Sequence, residues 1–311
     1  MKRLNNKILA IFIAIIALAI WPVQGQQLPR TVSDDLPAFS RIVLGGDFSL
    51  DIHYGKRYSA RIGVEELFAE YVQFAVNDST LTVSMDERKV PAEVRKLFRG
   101  KDSLSPDFRI EVTMPETLRS LRLDGRALLA SADDLVFDPA SVAVQVTDNA
   151  GITSVTIPSG RVELTLDKKA VVVMEAAGDS LIVHQGGNSN LTATHHTSVS
   201  RYEVGGNANL LVKGETGLLK MNAKGFSKSI LNGRAPVVRY QMGGSAQVNS
   251  ASLENDRAFA ELSGIGVVLT AAPTDDLTVD MHGGATLYFL NEPAIHIVYL
   301  KNASLIPYDR K

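Results

Sequence analysis

The chain has 311 residues, with 32 Lys plus Arg against 34 Asp plus Glu, a formal charge of −2, and no cysteine. That charge gives no electrostatic reason to expect nucleic acid. The missing thiol excludes disulfides and the cysteine on which a bacterial lipoprotein anchor is built.

Residues 1–25 read as a secretory signal peptide. "MKRLNNK" supplies three basic residues, Ile8 to Ile20 is an unbroken run of Ile, Leu, Ala and Phe, and "VQG" ends at Gly25 with a small residue for cleavage. The apolar run is short of the roughly 20 residues that span a bilayer. No stable membrane span is expected once it is removed, and the loss of Lys2, Arg3 and Lys7 takes the charge from −2 to −5. Residues 26–38 read as a linker.

From residue 39 to 113 the pattern is alternating strands. "FSRIVL", "FSLDIHY", "YSARIGV", "VQFAV" and "LTVSM" follow one another, with a turn at "NDST", and are expected to start or cap a stack. Residues 86–103, "DERKVPAEVRKLFRGKDS", interrupt them with charge and helix formers. Arg88, Lys89, Arg95, Lys96, Arg99 and Lys101 would suit an acidic glycan or a lipid headgroup, but Asp86, Glu87, Glu93 and Asp102 dilute them, and a solvated excursion is the simpler reading.

Residues 114–290 repeat. Four-residue blocks recur as "DGRA" at Asp124, "DNAG" at Asp148, "DKKA" at Asp167, "GGNS" at Gly186, "GGNA" at Gly205, "KGFS" at Lys224, "GGSA" at Gly243, "SGIG" at Ser263 and "GGAT" at Gly283. Their fourth positions, Ala127, Gly151, Ala170, Ser189, Ala208, Ser227, Ala246, Gly266 and Thr286, are all small, as a crowded corner between stacked copies requires.

Apolar columns flank the blocks at the same step: Leu164, Val183, Tyr202, Met221 and Tyr240 before them, Val155, Met174, Ala193, Val212 and Leu231 after them. Alternation within each copy is two, so the elements are strands. A nineteen-residue unit of short strands buries too little apolar surface to offset the ordering of its backbone, so copies must stack. The pattern predicts an all-β chain built as a single-stranded parallel β-helix of about nine or more coils, with a period of about 19 residues and capped ends. Residues 291–311 supply the C-terminal cap or tail.

Stepping by nineteen along an outward row gives Thr165, His184, Glu203, Asn222 and Gln241. His184, Glu203, Asn222 and Gln241 are the candidate binding row, and His184 with Glu203 is the one pair placed for acid–base work. His195 and His196 are adjacent on a strand and so point to opposite faces, which rules against a shared metal. Asp124, Asp148 and Asp167 form a short acidic column, read as turn aspartates rather than calcium ligands. No metal, cofactor or catalytic residue is assigned.

The stretches "FSRIVLGGDFSLDIHYGKRYSARI" and "MPETLRSLRLDG", with the recurrent glycine-small blocks, resemble a Bacteroidetes family of unknown function called the putative auto-transporter adhesin head GIN domain, over about Phe39 to Asn291. The resemblance implies a right-handed parallel β-helix exported to the cell envelope, and carries no catalytic residue. Family members often have Gly-Ser-Gly turns where this chain has "DNAG", "DKKA" and "KGFS". The leading expectation is an exported, non-catalytic envelope protein, in the periplasm or at the surface, that binds an envelope or surface polymer or protein. Two alternatives stand beside it: a polysaccharide lyase-like or hydrolase-like β-helix using His184, Glu203 or the aspartates, and a β-helix that self-assembles end to end.

Overall fold

The computed structural model describes residues 30–85, 88–97, 108–132 and 135–308. The signal-peptide segment and residues 86–87 and 98–103 of the basic insertion lie outside them. Of that insertion, Ala92–Leu97 forms one short α-helix. Among the described residues no helix is long and apolar enough to cross a membrane.

The chain is an all-β solenoid of about 10 turns with a period of about 19 residues, as its glycine spacing predicts. Val171–Gln185, Asn190–Val204 and Asn209–Ala223 run side by side, parallel and in register, so Val183 lies beside Tyr202 and Tyr202 beside Met221. Each coil lays a six-residue strand on one face, turns through a left-handed residue, and lays a second strand on the other face. Alternate side chains point inward. Arg161–Leu166 shows the pattern, with Val162, Leu164 and Leu166 buried and Arg161 exposed. The two predicted apolar columns are both interior, and Tyr202 and Tyr240 are their largest members. At about 4.8 Å per coil the stack is a rod of about 48 Å.

The left-handed positions form their own column: Gly125, Asp148, Lys168, Gly187, Gly206, Gly225 and Gly244 all have φ between 58° and 76°. Through Ala246 a small buried residue follows two positions later, giving a corner column of Ala127, Ala150, Ala170, Ser189, Ala208, Ser227 and Ala246, which strand register continues with the buried Val267 and Ala285. Three members therefore differ by one residue from the sequence reading, which named Gly151, Gly266 and Thr286. Those coils run from one residue shorter to four residues longer than nineteen, and glycine content alone does not show where the difference falls.

The same shift breaks the acidic column. Asn149 N–H donates to the Gly125 carbonyl and Lys169 N–H to the Asp148 carbonyl, which stacks Asp148 with Gly125 and Lys168 rather than with Asp124 and Asp167. Asp148 is instead ion-paired to Lys168, which holds its carboxyl below the ordinary value, and Asp124 pairs with Arg122 at 2.7 Å.

The first coils are laid down out of chain order. Arg41–Gly46 is flanked by Thr80–Met85 on one side and Ser120–Gly125 on the other, all parallel, and Ser49–Tyr54 is flanked likewise by Arg109–Met114 and Leu128–Ser131. The chain thus forms one coil, loops out, slides a second beneath it, and returns on top. The outer edge of that lowest coil is closed by antiparallel strands: Val72–Asn77 on Thr80–Met85, Ser59–Gly63 on Arg109–Met114, and Arg30–Asp34 on Ser59–Gly63. Phe48, Phe68 and Phe108 pack beneath it, with Phe108 edge-on to Phe68 at 5.2 Å between centroids. Covering an edge in this way removes the unpaired N–H and C=O groups that invite another chain.

The other end is different. Ala294–Lys301 and Ser304–Pro307 add a last coil, parallel to Pro273–His282 and Thr286–Phe289, and they cover those strands. Among the described residues no further strand pairs with this last coil, and every residue of Ala294–Lys301 is exposed.

Candidate functional site

The six-residue strands form one long outward sheet face. In-register pairing lines up Thr165, His184, Glu203, Asn222 and Gln241 on it, as the nineteen-residue step predicts, and the row continues through Glu261 and Asp280. Side chains reach from coil to coil: His184 Nδ1 lies 2.9 Å from Glu203 Oε2, Asn222 Nδ2 donates to Gln241 Oε1 at 3.3 Å, and Gln241 Nε2 to Glu261 Oε2 at 3.5 Å.

Beside it runs a second row that sequence reasoning missed. Arg201, Lys220 and Arg239 stack on successive coils, and the next member is Phe259. The Arg239 guanidinium sits 4.6 Å from the centre of the Phe259 ring, within cation–π range. The signal was available, because Arg201, Lys220 and Arg239 are spaced by nineteen; Phe259 requires a step of twenty, at a coil one residue longer. This row and the Asn222–Asp280 part of the first line a shallow groove of about 440 Å³ that runs from Arg201 to Asp280 across several coils.

The electrostatics of Glu203 decide what the His184–Glu203 pair can do. Burial alone would raise its carboxyl, but the Arg201 guanidinium and the His184 ring more than offset this and hold it below its ordinary value. A general acid at neutral pH needs the opposite shift. Glu203 is a fixed anion that ties Arg201 and His184 into a cross-strand cluster. Because the cluster is partly exposed, Glu203→Gln is expected to change unfolding free energy by less than about 1 kcal/mol, measurable by urea titration.

His195 and His196 point to opposite faces, as expected. His196 is exposed, whereas His195 is 1 % exposed in the interior, its Nδ1 lying 2.8 Å from Ser200 Oγ and 2.9 Å from Tyr202 Oη. Desolvation, with a smaller push from His196, lowers its pKa to about 4, so the ring is neutral. Among the described residues, no group of three or more His, Cys, Asp or Glu side chains is placed to hold a metal ion.

The chain resembles several solved structures at low identity. A crystal structure described as a putative adhesin from Parabacteroides distasonis is 12% identical, with 90% of this chain and 98% of that one covered, at a TM-score of 0.47. One described as a putative lipid binding protein from the same species is 14% identical, covering 90% and 97%, also at 0.47. A putative adhesin from Parabacteroides merdae is 13% identical, covering 92% and 98%, at 0.47. No curated protein matches. The family profile matches residues 38–212, more than half of the chain and including the first coils, His184 and Glu203. The chain therefore belongs to the family described as putative auto-transporter adhesin, head GIN domain.

Proposed function

We propose that this chain is an exported, non-catalytic binding rod of the cell envelope, adhesive in the sense its family description suggests. It takes an extended polymer or protein partner along the face that carries the His184–Gln241 row. Export rests on the basic-then-apolar pattern of residues 1–25. The observation that carries the binding reading is the groove from Arg201 to Asp280, where one face offers cations, amides, carboxylates and an aromatic ring at one repeat spacing.

Such a ladder suits a ligand that is itself periodic or extended, because each coil adds one small contact and the sum over coils supplies affinity. The groove is too open to enclose a small molecule, and the lowered carboxyl of Glu203 beside it is unsuited to act as a protonated general acid.

The test is binding of the purified protein to an array of acidic and neutral polysaccharides and to extracts of host and bacterial surface proteins. The double variant Arg239→Ala, Phe259→Ala is expected to weaken any binding seen by at least tenfold while leaving the circular dichroism unchanged. Binding that survives this change removes the groove from the account. Release of reducing ends or unsaturated products from any polysaccharide would restore the enzyme reading.

A further inference from the structure

The sheet face around the groove leaves two of its cations without a counter-charge. Arg201, Lys220 and Arg239 stack on successive coils, about 4.8 Å apart. Two residues before each in its strand stand Val199, Leu218 and Val237, and two residues after each stand Glu203, Asn222 and Gln241. Arg201 is ion-paired to Glu203. Lys220 and Arg239 have only aliphatic and amide neighbours in their strands, and among the described residues neither is ion-paired. On the same face of an earlier coil, by contrast, Arg161 pairs with Glu163 at 3.2 Å. Both free cations are exposed, on a chain whose formal charge is −2.

We propose that the groove takes a linear acidic polysaccharide, laid along the rod axis with the anionic groups of successive sugars facing this row. The inference rests on the groove reading above and names its ligand. Charge selects an anion, because a row of cations on an otherwise acidic chain concentrates polyanions at that one place. Spacing selects a sugar chain over a polypeptide. Side chains on one face of an extended peptide recur about every 6.8 Å, so a peptide carboxylate set on Arg201 leaves its second neighbour out of step with Arg239 by about 4 Å. A chain of pyranose rings advances by close to one coil rise per sugar, so its carboxylates or sulfates stay in step with the row.

The rest of the groove suits the rest of such a ligand. Asn222 and Gln241 lie beside the cations and offer both donors and acceptors, as sugar hydroxyls require. Arg239 is held over the Phe259 ring at 4.6 Å, so less side-chain freedom is lost when an anion binds it. Beyond Phe259 the groove ends on Glu261 and Asp280, which repel an anion. Contact is thereby confined to the three coils of Arg201, Lys220 and Arg239, about three sugars, and a long polymer can hold several rods at once.

Titration of the purified chain with polygalacturonate, the same polymer fully methyl-esterified, cellulose sulfate and polyglutamate tests this. Polygalacturonate or cellulose sulfate should bind, the ester about tenfold more weakly or worse, and raising salt from about 50 to about 500 mM should weaken binding roughly fivefold. The tighter of the two acidic polysaccharides tells carboxylate from sulfate recognition. Lys220→Glu should cost about tenfold or more, Lys220→Arg should retain binding, and Lys228→Glu, an exposed charge on the second strand of the coil, should leave it unchanged. Lys220 has no partner in the fold, so each variant should keep the wild-type melting temperature. An ester bound as tightly as the acid, indifference to Lys220→Glu, a preference for polyglutamate, or no binding of any of the four would each overturn the proposal. The two readings fail separately. A neutral polymer or protein whose binding is lost in the Arg239→Ala, Phe259→Ala variant but not in Lys220→Glu would remove the acidic polysaccharide and keep the groove, whereas binding that survives both changes removes the groove as well.

Discussion

Replacing Gly233 by alanine is expected to destabilise the protein by at least about 3 kcal/mol, lowering its melting temperature by roughly 10 °C. Gly233 has φ of 110°, a conformation that costs any L side chain. A Cβ there would also lie 1.9 Å from the Gly214 carbonyl oxygen of the preceding coil. That obstacle is backbone held in the stack, so it cannot swing aside. Gly205→Ala is the control: its nearest obstacle would be 4.0 Å away and its φ is not in the left-handed region, so the change should stay within about 0.5 kcal/mol. Thermal melts of the two variants against wild type check both. Equal effects would mean that the close approach between coils does not exist.

Acidification should weaken the fold well before the carboxylates titrate, and His195 is the reason. Its pKa is lowered from 6.5 to about 4 by burial. Above pH 6.5 the ring is neutral in both folded and unfolded chains, and stability is complete. Between pH 6.5 and 4 the unfolded chain takes up a proton that the folded chain refuses, so stability falls as pH falls, by about 3 kcal/mol at pH 4. The lowered carboxyls of Asp138, Asp148 and Glu203 add losses only below their ordinary values, at more acid pH. Guanidinium midpoints at pH 8, 6, 5 and 4 should trace this slope, and His195→Gln should flatten it. A wild-type profile flat from pH 8 to 4.5 would show that the ring is not buried neutral.

Much of the stack could be read in the residues, for a definite physical cause. In-register parallel stacking forces each position to satisfy the same contact in every coil, so Gly187, Gly206, Gly225 and Gly244, or Val183, Tyr202, Met221 and Tyr240, repeat the same constraint. The row from Thr165 to Gln241 was found by the same step. Where coils depart from nineteen the inference slipped by one, and Asp148 moved out of the column of Asp124 and Asp167.

The N-terminal coils could not be read at all as to order, because their strands alternate like the rest while the chain threads Thr80–Met85 beneath Arg41–Gly46. Nothing in the local pattern distinguishes a coil laid below from one laid above. The Arg201, Lys220 and Arg239 row was missed for another reason. Long charged side chains on an outward face read as solvation until the neighbouring ring of Phe259 and the groove beside it are seen.

The proposed adhesive role, in its literal sense, requires the rod to be exported and to present its polar face outside the cell rather than in the periplasm. Protease shaving of intact cells, with a known periplasmic protein as control and immunoblotting for this chain, tests it most directly. The account predicts loss of the signal while the periplasmic control survives. Full protection of the chain would contradict an adhesive role at the surface and confine its partners to the envelope's interior.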